Sequence, residues 1–179
     1  MGNLFLEKGL DKVIDLFRAV CREGIEGRLV LAGPVLTPES ATLINVAIDE
    51  FGEGFDYRGS VYGEAKESFF RDIDVFIFPS RYVHETQPLV IFEAMSLGVP
   101  VISYSRGCIG DDLSESGGFG IPPESDFVAA TLPIIREWAE NRAKLEHSSC
   151  AAFEKAERLR EGALTDLHRL VNLIAVPGH

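Results

Sequence analysis

The stretch from Asp74 to Arg106 constrains this chain more than any other. It reads Asp-Val-Phe-Ile-Phe-Pro-Ser, then Arg-Tyr-Val-His-Glu-Thr-Gln, then Pro-Leu-Val-Ile-Phe-Glu-Ala-Met-Ser-Leu-Gly, then Val-Pro-Val-Ile-Ser-Tyr. Val75 to Phe78 is a short apolar run stopped by Pro79, as expected of a strand buried on both faces. Pro88 suits the first turn of a helix, where a missing N–H costs nothing. Gly98 suits the position just past a helix end, and Pro100 forbids continuation. Val99 to Tyr104 then reads as a second strand. Strand, loop, helix and strand in this order make a right-handed parallel crossover.

The helix of this unit is apolar on nearly every face, through Leu89, Val90, Ile91, Phe92, Ala94, Met95 and Leu97, so it is expected to be buried. Glu93 in its middle is then a costly carboxylate unless it receives hydrogen bonds. A second carboxylate, Glu85, precedes it by eight residues, on the loop that enters the helix. The helix start beside Thr86 and Gln87 offers free N–H groups and the positive end of the helix dipole. Two carboxylates and an anion site at the carboxyl end of a parallel strand suit a ligand rich in hydroxyls and phosphate. Taken singly, each Glu has a plain reading: a partner for an arginine, and a solvated loop residue.

Glu85-Thr-Gln-Pro-Leu-Val-Ile-Phe-Glu93, followed by Ala94-Met95-Ser96-Leu97-Gly98-Val99-Pro100-Val101-Ile102, resembles the donor-site motif of retaining GT-B glycosyltransferases of the family 4, or group 1, type. Pro79-Ser80 and Lys8-Gly9 fit the same pattern, and the resemblance runs from Gly2 to about residue 175. It implies one Rossmann-like α/β domain over residues 1–179, three layers with a parallel sheet of about five strands, and C-terminal helices at about 125–175. It also implies hexose transfer from a nucleotide-diphosphate sugar such as UDP-glucose or GDP-mannose, with retention and without a bound metal or other cofactor. Glu85, as the catalytic residue, and the amides of Thr86, Gln87, Pro88 and Leu89 would hold sugar and phosphate. Glu93 would hold the ribose hydroxyls, Lys8 would oppose the diphosphate, and the loop carrying Val61 and Tyr62 would meet the base.

The start of the chain departs from the pattern. The family has a strand and then Gly-Arg-x4-Lys-Gly; here the loop is Gly2-Asn3-Leu4-Phe5-Leu6-Glu7-Lys8-Gly9, with Asn3 in place of the arginine and no strand before it. The resemblance therefore implies an excised donor-binding half without its N-terminal acceptor domain, inactive in transfer by itself. The alternative is a non-catalytic binding or regulatory module of the same fold. An epimerase or phosphorylase on a similar fold is a third class, but no stretch marks the lysine that pyridoxal phosphate requires.

The remaining segments alternate as an α/β domain should. Leu10, Val13, Ile14, Phe17, Val20 and Cys21 share one helix face; Arg28 to Ala32 is a strand ended by Gly33-Pro34. Thr37-Pro38-Glu39 opens a helix with cap, proline and acid, and Phe55 to Arg58 is a strand. Glu64 to Asp72 is a short helix, and Gly117 to Ile121 a last edge strand. Asp111-Asp112 reads as a cap or turn, and His84 is given no catalytic role. No Gly-x-Gly-x-x-Gly lies between strand and helix and no Gly-Lys-Ser/Thr loop occurs, which argues against dinucleotide dehydrogenases and P-loop ATPases.

A net charge of −11 argues against nucleic acid as partner. Three scattered cysteines form neither a zinc pattern nor a disulfide framework, consistent with a reducing cytoplasm. The apolar faces of the last helices would be free for homo-oligomer formation if the other domain is missing.

Overall fold

The computed structural model describes residues 2–174; Met1 and residues 175–179 lie outside it, and with them the expected end near 175. Strands and helices alternate: α1 (Leu10–Arg22), β1 (Leu29–Leu31), α2 (Pro38–Phe51), β2 (Phe55–Tyr57), α3 (Glu64–Arg71), β3 (Phe76–Phe78), α4 (Leu89–Ser96), β4 (Val101–Tyr104), α5 (Ile109–Leu113), β5 (Phe119–Ile121), α6 (Phe127–Glu140) and α7 (Arg142–Ile174). The five strands of the expected α/β fold are all parallel to their neighbours, but they form two sheets: β1–β2, and β3–β4–β5.

Side-chain alternation along β4 builds the layers. Val101 enters a core with Phe69 and Phe70 of α3, Ile91 and Met95 of α4 and Ala152 of α7. Ile102 and Tyr104 point to the opposite face, against Leu16 of α1 and Phe127 and Trp138 of α6. A third cluster packs Ile14 of α1 and Ile44 of α2 on Leu31 and Phe55.

Side-chain caps fix two helix starts, of which the sequence marked the one at Thr37. Thr37 Oγ1 accepts from the Ser40 amide at 3.2 Å, and Asp126 Oδ1 accepts from the amides of Val128 and Ala129 at 2.9 and 3.2 Å. Pro133 lies inside α6. Pro88 is the cap of α4, one position earlier than expected. After Asn141 the chain continues as one helix of 33 residues, whose last turns leave Leu164, Leu167, Leu170, Leu173 and Ile174 exposed.

The helix carrying Glu93 is not enclosed. Only Ile91, Ala94 and Met95 of α4 are buried; Leu89 is 73% exposed and Glu93 half-exposed. An eight-residue helix packed on one side must leave its other side open, so uniform apolarity overstated its burial.

Candidate functional site

Residues 2–9 cross the carboxyl ends of the strands. The Leu4 amide donates to the Pro34 carbonyl at 2.9 Å, and the Arg81 amide donates to the Glu7 carbonyl at 2.7 Å. Glycine is required at Gly9, where φ is +83° and a Cβ would lie 2.2 Å from the Pro79 carbonyl oxygen. At Gly33 the close neighbour is the backbone of Gly2, whose carbonyl would be 1.8 Å from a Cβ. The protein's own chain fills the space beside Gly33.

This crossing brings Lys8 onto Glu85. Lys8 Nζ donates to Glu85 Oε2, and Ser80 Oγ donates to the same oxygen at 2.7 Å. The Lys8 ammonium also stands 4.8 Å from the centre of the Tyr82 ring. The Glu85 side chain is only 10% exposed, so it is not a solvated loop residue, and Lys8 is not a free cation.

Glu93 has a partner that sequence reasoning missed. Lys66 Nζ of α3 lies 2.5 Å from Glu93 Oε2, an oxygen shielded from solvent that has no well-aligned hydrogen bond. Nothing in the local pattern singles out Lys66; α3 and α4 must pack before it meets Glu93. The pair lines a cleft of about 660 Å³ together with Asn3, Ser60, Val61 and Tyr62. Tyr62 is 76% exposed, its ring free at the rim.

The other expected contacts are placed differently. The Thr86 carbonyl accepts from the Cys108 amide at 2.9 Å. The Gln87 side chain turns toward α5, its Nε2 3.3 Å from Asp112 Oδ1. Pro88 is buried and, as a proline, has no N–H to offer; this corrects its place among the phosphate-holding amides. The side chains of Thr86, Gln87 and Leu89 are exposed and do not line the cleft that holds Glu93.

Asp112 is buried inside α5 and caps nothing, which corrects the capping reading. Burial pushes its pKa up, and the Gln87 hydrogen bond opposes that only in part. The native state therefore takes up this proton at higher pH than the unfolded chain, and stability falls as pH rises through that window. Asp112→Asn keeps an oxygen for Gln87 without the charge. It is expected to raise the melting temperature near neutral pH and to match the parent below the ordinary carboxylate pKa of about 4. A melting-temperature series against pH checks this.

Among the described residues, no group of three or more His, Cys, Asp or Glu side chains is placed to hold a metal ion, and no helix is long and apolar enough to cross a membrane.

The sequence profile described as "Glycosyl transferases group 1" matches residues 1–161. The chain belongs to that family. Among curated relatives, it is 28% identical over 152 residues to the sulfoquinovosyl transferase of Arabidopsis thaliana, covering 84% of this chain and 28% of that protein. It is 27% identical over 135 residues to a GDP-mannose-dependent α-(1-6)-phosphatidylinositol dimannoside mannosyltransferase of Mycobacterium tuberculosis, covering 75% of this chain and 34% of that protein. The chain thus spans about a third or less of the curated relatives it matches.

Among solved structures, sucrose-phosphate synthase from Thermosynechococcus elongatus superposes with a TM-score of 0.74 at 22% identity, over 98% of this chain and 45% of that one. HepE of Anabaena, solved with UDP and glucose, gives 0.69 at 19% identity, over 88% of this chain and 43% of that one. The C-terminal domain of a group 1 glycosyl transferase from Francisella tularensis gives 0.71 at 14% identity, over 88% of this chain and 82% of that one. The fold of this group 1 chain is that of the C-terminal Rossmann-like domain of GT-B glycosyltransferases.

Proposed function

We propose that this chain is the donor-binding half of a retaining hexosyltransferase that uses a nucleotide-diphosphate sugar. The observation that carries this reading is the cleft at the carboxyl ends of β1 and β2. There a half-exposed carboxylate, Glu93, an exposed aromatic ring, Tyr62, and the apolar Val61 stand together. A base stacks on Tyr62 and Val61, and ribose hydroxyls donate to Glu93 in place of Lys66. That a relative of the same fold was solved with UDP supports the reading.

The diphosphate then lies toward the start of α4, where the Leu89 and Val90 amides are among the first of the helix and have no intrahelical partner. Lys8 opposes its charge, and Glu85, held between Lys8 and Ser80, is positioned to accept from sugar hydroxyls. Fixed donors of this kind act on the charge that develops on the departing diphosphate. Transfer also requires an acceptor-binding wall that holds both reactants together, which supplies effective molarities of about 10⁵ M or more. In this reading that wall is a further domain, and the present chain binds donor without transferring the sugar.

A second reading rests on one observation: Lys8 and Lys66 already have carboxylate partners, Glu85 and Glu93. A site so neutralised fits a binding or regulatory module that has lost transfer chemistry.

Calorimetric titration with UDP, GDP, ADP and their sugars separates the two. The donor-site reading expects one nucleoside diphosphate to bind well above the others, with the matching nucleoside much weaker. Lys8→Ala is expected to weaken the diphosphate about 10- to 100-fold, the worth of a charge-assisted hydrogen bond of about 1.5–3 kcal/mol, and to leave the nucleoside unchanged. Equal losses for both would mean that Lys8 acts through folding. No binding of any nucleotide would favour the module.

A further inference from the structure

The segment from Glu85 to Gln87 is held from behind by the turn that follows β4. The Cys108 amide donates to the Thr86 carbonyl at 2.9 Å. Gly107 lies so close that a Cβ there would stand 2.7 Å from the Glu85 carbonyl oxygen and 2.6 Å from that of Thr86. Two successive carbonyls therefore face the same turn. In a planar trans peptide the N–H points opposite to the C=O. The N–H groups of Thr86 and Gln87 share these two peptide planes, so both are turned away from Gly107. Neither finds a backbone acceptor among the described residues. Both residues are exposed, which leaves the pair of N–H groups open to a ligand.

The turn is itself anchored in the core. Ile109 and Leu113 of α5 are buried in one cluster with Ile91 and Met95 of α4 and Val101 of β4. Asp112, buried on the same short helix, reaches back to the loop: Gln87 Nε2 lies 3.3 and 3.4 Å from its two carboxylate oxygens. The exposed Gln87 side chain gives up rotamer freedom to make this contact. Asp112 does not serve stability, because a carboxylate is costly to bury. What it does is hold Gln87, its one side-chain hydrogen-bond partner among the described residues.

We infer that Gly107, Cys108 and Asp112 are positioning residues for the donor: together they form a clasp that holds the Glu85–Thr86 and Thr86–Gln87 peptides with both N–H groups outward, toward an oxygen of the bound diphosphate sugar. This rests on the donor-site reading above. Two neighbouring N–H groups on one side of the chain make a small concave site for such an oxygen, and these two adjoin Glu85. The clasp acts through the loop and not by contact with the donor. It sets the main chain, while Lys8 and Ser80 hold the Glu85 carboxylate. Gly107 has to be glycine, since its φ is +54° and any Cβ would press on both carbonyls and rotate the peptides.

The test uses Gln87→Ala, which removes an exposed side chain and leaves the core intact, with Gly107→Ala, Asp112→Ala and Asp112→Asn beside it. Amide exchange at Cys108 is measured in each, together with calorimetric affinity for UDP, GDP and ADP, their sugars and the bare nucleosides. The Cys108 amide is expected to exchange about 5-fold faster in Gln87→Ala and Asp112→Ala, the worth of one hydrogen bond. It should exchange as in the parent in Asp112→Asn, which keeps an oxygen for Gln87. Affinity for the preferred diphosphate sugar should fall by the same factor in the first two variants and about 10- to 30-fold in Gly107→Ala, where both amides are displaced. The nucleoside, bound through base and ribose, should be unaffected. A loss confined to the diphosphate sugar puts a sugar oxygen on the two amides; a loss shared with the nucleoside diphosphate puts a phosphate oxygen there. The inference is overturned if Cys108 exchange is the same in all chains, if the nucleoside loses as much as the diphosphate sugar, or if Asp112→Asn behaves as Asp112→Ala. A parent chain that binds no nucleotide overturns the donor-site reading and with it the clasp's role toward a donor, and the exchange rates tell this apart from a clasp that does not hold the loop.

Discussion

Glu93→Ala is expected to lower affinity for the preferred nucleoside diphosphate about 10- to 100-fold while shifting the melting temperature little. The binding loss follows from charge-assisted hydrogen bonds to ribose hydroxyls, worth about 1.5–3 kcal/mol. The small stability effect follows from the structure. The Glu93 side chain is 41% exposed, and its one ion pair, to Lys66, is half-exposed too. Such pairs contribute about 0–1 kcal/mol. Lys66→Ala gives the complementary result, since it removes the competitor for Glu93 and should leave binding equal or tighter. Titration and thermal melts of the two variants check both halves. A Glu93→Ala protein with unchanged affinity and a collapsed melting temperature would make Glu93 a structural residue.

Gly9→Val is expected to cost several kcal/mol of stability. Gly9 has φ +83°, a region that costs a non-glycine residue about 1–3 kcal/mol. Its Cβ would also lie 2.2 Å from the backbone carbonyl of Pro79, and no side-chain rotation relieves a backbone clash. The loop must move, and with it the start of α1 and Lys8. A total of several kcal/mol is a large part of the roughly 5–15 kcal/mol that holds a typical domain together. Gly24→Ala is the control, with φ +70° and nothing within 4 Å of its Cβ. It should lose only about 1 kcal/mol, the conformational part. Urea midpoints for both variants decide the matter: similar shifts would show that the approach to Pro79 is unimportant.

Both predictions use residues whose importance was legible in the sequence for reasons that the structure then changed. Glu93 stood out as a charge in an apolar helix. Its burial was overestimated because hydrophobicity of α4 says nothing about which side finds a neighbour. Gly9 was legible as the glycine before α1, but its need comes from Pro79, about seventy residues further along the chain.

Local chemistry, acting over a few residues, determined most of the framework. Apolar β-branched runs stopped by proline or glycine gave the five strands, within one or two residues of their ends. The cap at Thr37 and the apolar stripe of α1 gave the first helices. The spacing of Glu85 and Glu93 around a proline-led helix start pointed to the group 1 family, to which the chain belongs. Only the tertiary structure decided who meets whom. Lys8 on Glu85, Lys66 on Glu93 and Gln87 on Asp112 each join groups at least 25 residues apart, and no local pattern encodes such pairs. The division of the strands into two sheets is of the same kind. Strand propensity is a property of each segment, whereas pairing depends on whether another strand lies within about 4.8 Å, and among the described residues none does between β1 and β3.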